Sequence, residues 1–183
     1  METNQVPGNL YDYYRSNPSM FEERVDGRKR AVGFVLSAVC VLLLVVPSVI
    51  PVGDLVVRVI AAAGLLYFGY SAFFGSKDFY SLGGGKINDL AVKKFADPST
   101  LDECGRIIAM FEEDDFAGLA AEADANDRPL QLYLHEDAAG KTFYLQQMWH
   151  FSASDFRGIT EVKALKEPQY SKYYPALKRI KST

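Results

Sequence analysis

The sequence predicts a two-helix transmembrane hairpin joined to a small cytoplasmic α+β domain, with helices packed on a short antiparallel sheet. Three observations lead there. Residues 31–50, AVGFVLSAVCVLLLVVPSVI, carry no charge. Residues 55–75, LVVRVIAAAGLLYFGYSAFFG, carry one, Arg58. From residue 97 onward, helical apolar stripes give way to alternating apolar and polar positions, the mark of helices followed by strands.

The chain opens on an arm, residues 1–29, with Tyr11, Tyr13, Tyr14 and Phe21 near a basic end. Aromatic side chains with basic neighbours suit the headgroup level of a bilayer, so the arm reads as interfacial. Residues 30–75 read as the hairpin, with spans at about 31–50 and 54–75. A spanning helix needs roughly 20 apolar residues, and the second run follows the first too closely for a secretory signal. Arg15, Arg24, Arg28, Lys29 and Arg30 precede the first run, Lys77, Lys86, Lys93 and Lys94 follow the second, and the turn PVGD has no basic residue. That asymmetry places both termini in the cytoplasm and the chain in an inner (cell) membrane.

Within the hairpin, Asp54 and Arg58 read as a membrane anchor. Asp54 would cap the second helix and meet its positive dipole end, and Arg58 stands at the favourable i,i+4 spacing with its stem free to snorkel. Gly33, Ser37, Gly64 and Gly69 are small residues suited to close helix packing, either between the two helices or between copies of the chain.

Residues 76–96 read as a connector. Gly83, Gly84, Gly85 and Lys86 suggest a phosphate loop, but a Walker loop needs a glycine five before Gly85, where Tyr80 stands, and Ser or Thr where Ile87 stands. The glycines therefore read as a hinge.

The cytoplasmic α+β domain, residues 97–183, begins with Asp97-Pro98 as a helix start. Leu101, Cys104, Ile108 and Phe111 make a core stripe, EEDD at 112–115 ends that helix, and Phe116 and Leu119 begin another. LQLYLHEDAAGKTFYLQ is a hairpin. Facing Glu136 with Lys141 pairs Leu134 with Phe143 and Leu132 with Leu145 on one face, and His135 with Thr142, Tyr133 with Tyr144 and Gln131 with Gln146 on the other. Residues 158–166 read as a third strand, and PQYSKYYPALKRI as a closing helix divided or kinked at Pro175.

No residues are assigned to catalysis or to a metal, and no cofactor is implied. His135 and His150 stand too far apart along a strand to share an ion, and the EEDD carboxylates fan out around a helix. Cys104 lies on the apolar stripe, and no nucleophile elbow or zinc motif is present. Residues 97–137 hold twelve acidic and two basic side chains, and residues 138–183 three and eight, which disfavours nucleic acid as a partner. Gln131, Tyr133, His135, Tyr144 and Gln146 form the candidate ligand surface, aromatics interleaved with adaptable amides. The resulting expectation is a membrane-anchored binding or adaptor module without catalytic activity. Its partners are the lipid bilayer and a protein or small-molecule ligand. The alternative is an oligomerising effector that self-associates through its membrane helices and is gated by the cytoplasmic domain.

Overall fold

The computed structural model describes residues 8–49, 51, 53–75, 77–83, 85–152 and 155–180. The chain divides into two compact units, one of residues 1–22 and 79–183 and one of residues 23–78.

The first unit is α+β. It holds helix α1 (Leu10–Ser16); strands β1 (Phe21–Val25) and β2 (Lys77–Ser81), which pair with each other, each have residues in both units. The main sheet takes β3 (Ile87–Lys94), β4 (Leu130–Asp137), β5 (Thr142–Ser152) and β6 (Asp155–Gly158) in sequential order, with β7 (Lys163–Leu165) also pairing with β5. Helices α4 (Gly105–Glu112), α5 (Phe116–Ala121) and α6 (Gln169–Leu177) complete it. The described ladder of the main sheet is antiparallel throughout, as its alternation demands.

One face of this sheet is apolar. Leu130, Leu132, Leu134, Phe143, Leu145 and Trp149 cluster there with Cys104, Ile107, Phe111, Phe116 and Leu119 from the helical layer, and with Tyr170 and Leu177 of α6. The opposite face meets Leu10, Tyr14, Phe21 and Phe79, which bury Tyr144 and Ile87.

The hairpin β4–β5 keeps the face assignment read from the sequence but shifts its pairing by two residues. Asp137 faces Thr142, Glu136 faces Phe143, His135 faces Tyr144 and Leu134 faces Leu145. The cause lies in the turn. Lys141 takes a left-handed φ of 46°, and the Asp137 carboxylate accepts from Gly140 N at 2.8 Å, so the loop closes one residue later than expected.

The helical layer also starts later than Asp97. Thr100 and Glu103 form a capping box ahead of a short 3-10 turn, Leu101–Cys104, that runs into α4. Leu101 is exposed and Ile107 is buried in its place. The EEDD segment ends α4, Asp114 turns at φ 59° and Asp115 caps α5 through Gly118 N. Lys163 closes the end of α4: its Nζ donates to Phe111 O (2.6 Å), Glu112 O (2.9 Å) and Asp114 Oδ1 (2.7 Å). A lysine on free C-terminal carbonyls satisfies groups that the helix itself leaves unpaired. Residues 158–166 divide between β6 and β7, and Pro175 sits inside α6.

The second unit holds α2 (Gly27–Val45), a short 3-10 turn at Pro47–Val49, and α3 (Asp54–Phe74). The expected two-helix transmembrane hairpin is not what this unit forms: among the described residues, α3 alone is long and apolar enough to cross a membrane. The reason is where α2 begins and ends. Its cap is Asp26, so Arg28, Lys29 and Arg30 occupy its first turn, and Val46 ends it ahead of Pro47. The uncharged part, residues 31–45, rises only about 22 Å, against a hydrocarbon core of roughly 30 Å. Ile50, the expected end of the first span, lies outside the described residues. The fold is thus a small α+β protein with one candidate span.

The two helices pack closely. A Cβ on Gly33 would stand 2.9 Å from the Ala72 Cβ, and one on Gly64 would stand 2.8 Å from the Cys40 Sγ, so both positions are restricted to glycine by the opposing helix. Gly69 lies more loosely over the Ser37 hydroxyl, at 3.9 Å. Asp54 is the first residue of α3, behind an N-cap at Gly53, and forms no described ion pair with Arg58.

Candidate functional site

Two of the residues expected to form an open ligand surface, His135 and Tyr144, meet beneath α1. Asn9 caps this helix by accepting from Asp12 N at 2.9 Å, and Leu10 and Tyr14, one turn apart, point the same way onto the sheet. The aromatic arm thus packs against protein, where the sequence had placed it among headgroups. Tyr14 reaches Tyr144 edge-on at 5.5 Å, and Phe21 does the same at 5.5 Å.

Among the five expected residues, His135 and Tyr144 meet in one cluster, and Tyr133 lies beside them against Phe156. Gln146 is buried, its Nε2 donating to Thr160 O at 3.1 Å, where it fastens the chain that follows β6. Gln131 stays half-buried at the far end of β4 and donates to Arg128 O.

His135 is 1% exposed and sits in a chain of four polar groups. Tyr14 Oη lies 3.0 Å from its Nδ1, its Nε2 lies 3.2 Å from Asp89 Oδ1, and Tyr11 Oη donates to Asp89 Oδ2 at 2.9 Å. The protonation pattern follows from chemistry. A carboxylate only accepts, so Nε2 carries the proton, and Nδ1 then accepts from the Tyr14 hydroxyl. Burial pushes the histidine pKa down and outweighs the opposing pull of Asp89, so the ring is held neutral. Burial likewise drives the Tyr14 phenol up, with nearby Tyr144 and Asp89 adding to it, which keeps the phenol a donor. Tyr144 is pushed up to about 12, chiefly by burial and then by Asp137.

Asp89 reaches this face because of a bulge. The ladder between β3 and β4 slips between Asp89 and Ala91, so Ile87 and Asp89 address α1 while Ala91 joins the core on the opposite face. Lys93 follows Ala91 and donates to Glu122 O (2.6 Å) and Ala120 O (3.3 Å), at the end of α5.

A second polar anchor lies at the end of the same hairpin. Asp137, 1% exposed, accepts from Gly85 N (3.1 Å), Gly140 N (2.8 Å) and Ser81 Oγ (2.5 Å). One buried carboxylate therefore ties the glycine segment to the β4–β5 turn, and Ser81 N closes the loop onto Gly85 O at 3.2 Å. Its negative charge is offset by two amides and a hydroxyl. Gly84 lies outside the described residues. Beside this anchor opens a recess of about 360 Å³, walled by Met20, Leu82, Thr142, Tyr144 and Lys166.

The chemistry available here is limited. His135 has no face open to a substrate, and Asp137 already accepts three hydrogen bonds. His150 is exposed, stacks edge-on against Phe156 at 5.9 Å, and shares no ligand set with His135. The tetrad and the clamp hold segments together: α1 onto β4, and the glycine turn onto the hairpin. Sequence reasoning missed Tyr14, Asp89 and Asp137. Asn9 followed by apolar residues at positions 10 and 14 was a local signal for a capped helix, whereas nothing local to Asp89 announces a partner 46 positions away. No family model, curated protein or solved structure matches the chain.

Proposed function

We propose that this protein is a membrane-associated binding module without catalytic activity, held at a lipid surface by residues 27–74. The exposed apolar side of the helical unit carries the reading. Leu55, Leu66, Tyr67, Phe74 and Val45 are each about two thirds or more exposed, at 77%, 76%, 69%, 69% and 70%. Exposing large apolar side chains to water is unfavourable, and lipid removes that cost. Arg28, Lys29 and Arg30 at the start of α2 favour the cytoplasmic leaflet. The α+β unit then stands ready to meet a partner, with the recess beside Asp137 as its contact for a small molecule or peptide.

Flotation of purified protein with liposomes tests the association. The protein is expected to rise with lipid and to stay there after high salt and alkaline carbonate. A monomer that remains at the bottom of the gradient, soluble without detergent, would overturn the proposal. For sidedness, a cysteine at exposed Glu161 should escape an impermeant thiol reagent on intact cells, and labelling there would reverse the orientation.

A further inference from the structure

We infer that the helical unit carries a binding groove for one anionic phospholipid, with the phosphate held at Arg28 and one acyl chain laid between α2 and α3. The inference rests on the membrane association proposed above and names its partner.

The groove has a volume of about 420 Å³, within the range of pockets that hold small ligands. On α2 it is lined by Arg28, Lys29, Val32 and Leu36, and on α3 by Tyr67, Phe68 and Ser71. Positions 28, 32 and 36 are successive turns of one helix face, and 67, 68 and 71 share a face of the other, so the walls run parallel for about 12 Å. The antiparallel packing sets the order along that length. Gly33 opposes Ala72 and Gly64 opposes Cys40, which puts Arg28 and Lys29 level with Gly75, and Leu36 level with Phe68.

Polarity therefore changes along the groove in one direction. Two cations and a hydroxyl stand towards one end, and Leu36, Tyr67 and Phe68 stand at the other. That gradient matches an amphiphile with an anionic head, and it matches neither a uniformly polar metabolite nor a neutral hydrocarbon. The cations are also differently committed. Lys29 is held by Asp78 at 3.1 Å, whereas the Arg28 guanidinium makes no described ion pair and is the group open to a phosphate. Arginine suits this role because its planar fork matches two phosphate oxygens. Arg30 points elsewhere, stacked over Phe34 and Phe73 at 5.8 and 5.9 Å.

The test uses full-length protein reconstituted in nanodiscs of mixed phosphatidylglycerol and phosphatidylcholine, then released into mild detergent for native mass spectrometry. The parent protein should retain about one phosphatidylglycerol per chain in preference to phosphatidylcholine. Arg28→Gln should lower that preference about fivefold, the effect of one basic residue at an anionic surface. Val32→Trp, at an exposed groove wall, should abolish retention by filling the space. Flotation of all three on the same lipids should be unchanged. Equal retention of both lipids by the parent, or retention unaltered in both variants, would overturn the site while leaving membrane association standing. Loss of flotation by the parent would overturn the membrane reading itself, and the site with it.

Discussion

Replacing Tyr14 by Phe deletes one oxygen and nothing else, and its consequence can be worked from the geometry. The hydroxyl is buried and stands 3.0 Å from His135 Nδ1, a ring nitrogen that is 1% exposed with its residue and has no water to turn to. A buried acceptor left without its donor costs about 1–3 kcal/mol. The ring contacts with Phe21 (4.8 Å), Phe79 (5.2 Å) and Tyr144 (5.5 Å) survive, so the packing contribution is unchanged. The loss falls on the docking of α1. Amide hydrogen exchange of the segment 10–16 should therefore accelerate about 5- to 150-fold. Tyr11→Phe is the control, because its hydroxyl bonds an Asp89 side chain that is 64% exposed and readily rehydrated. It should change exchange by less than about threefold. Exchange in Tyr14→Phe within twofold of the parent would refute the argument, and so would equal acceleration by the two substitutions.

Three further outcomes follow from the same contacts. Because the folded protein holds the His135 pKa below its ordinary value of 6.5, stability is full above pH 6.5 and declines as the pH falls below it; His135→Gln should flatten that slope in urea titrations followed by the single tryptophan, Trp149. Lys178 donates to Glu136 Oε2 at 2.7 Å while Tyr170 donates to Oε1 at 2.8 Å, so Lys178→Met leaves a buried carboxylate without its cation and should cost on the order of 3 kcal/mol, relieved by the added change Glu136→Gln. Asp137→Ala strands two amides and a hydroxyl, and exchange at Gly85 and Gly140 should rise by at least tenfold while α4 is unaffected.

Much of the α+β unit was legible because its signals are local. The alternation of LQLYLHED and TFYLQQMW assigns every side chain to a face whatever the pairing, and the observed ladder keeps those faces while moving the partner by two. The exact pairing depended on a left-handed Lys141 and on Asp137 reaching back to Gly140, a choice between neighbouring turns of similar sequence. The helical unit shows the opposite failure. Counting apolar residues from 31 to 50 treated them as one helix, but Asp26 draws the start of α2 back over three basic residues and Pro47 ends it early.

The site was less legible than the fold. Gln131, Tyr133, His135, Tyr144 and Gln146 were found as a set because strand period alone collects them on one face. Whether that face is open depended on a helix 121 residues away from His135 in the chain.

What the sequence by itself determined is therefore what near neighbours decide: where apolar runs lie, which face a strand residue takes, that the glycine segment lacks a phosphate motif, and that charge is divided between the two parts of the α+β unit. The tertiary structure alone decided that the N-terminal aromatics cover the sheet, that a bulge turns Asp89 towards His135, and that one buried carboxylate ties the glycine turn down. These contacts are made by groups far apart in the chain, whose closeness is set by packing and by satisfying buried polar atoms, and no period or spacing along the sequence encodes them.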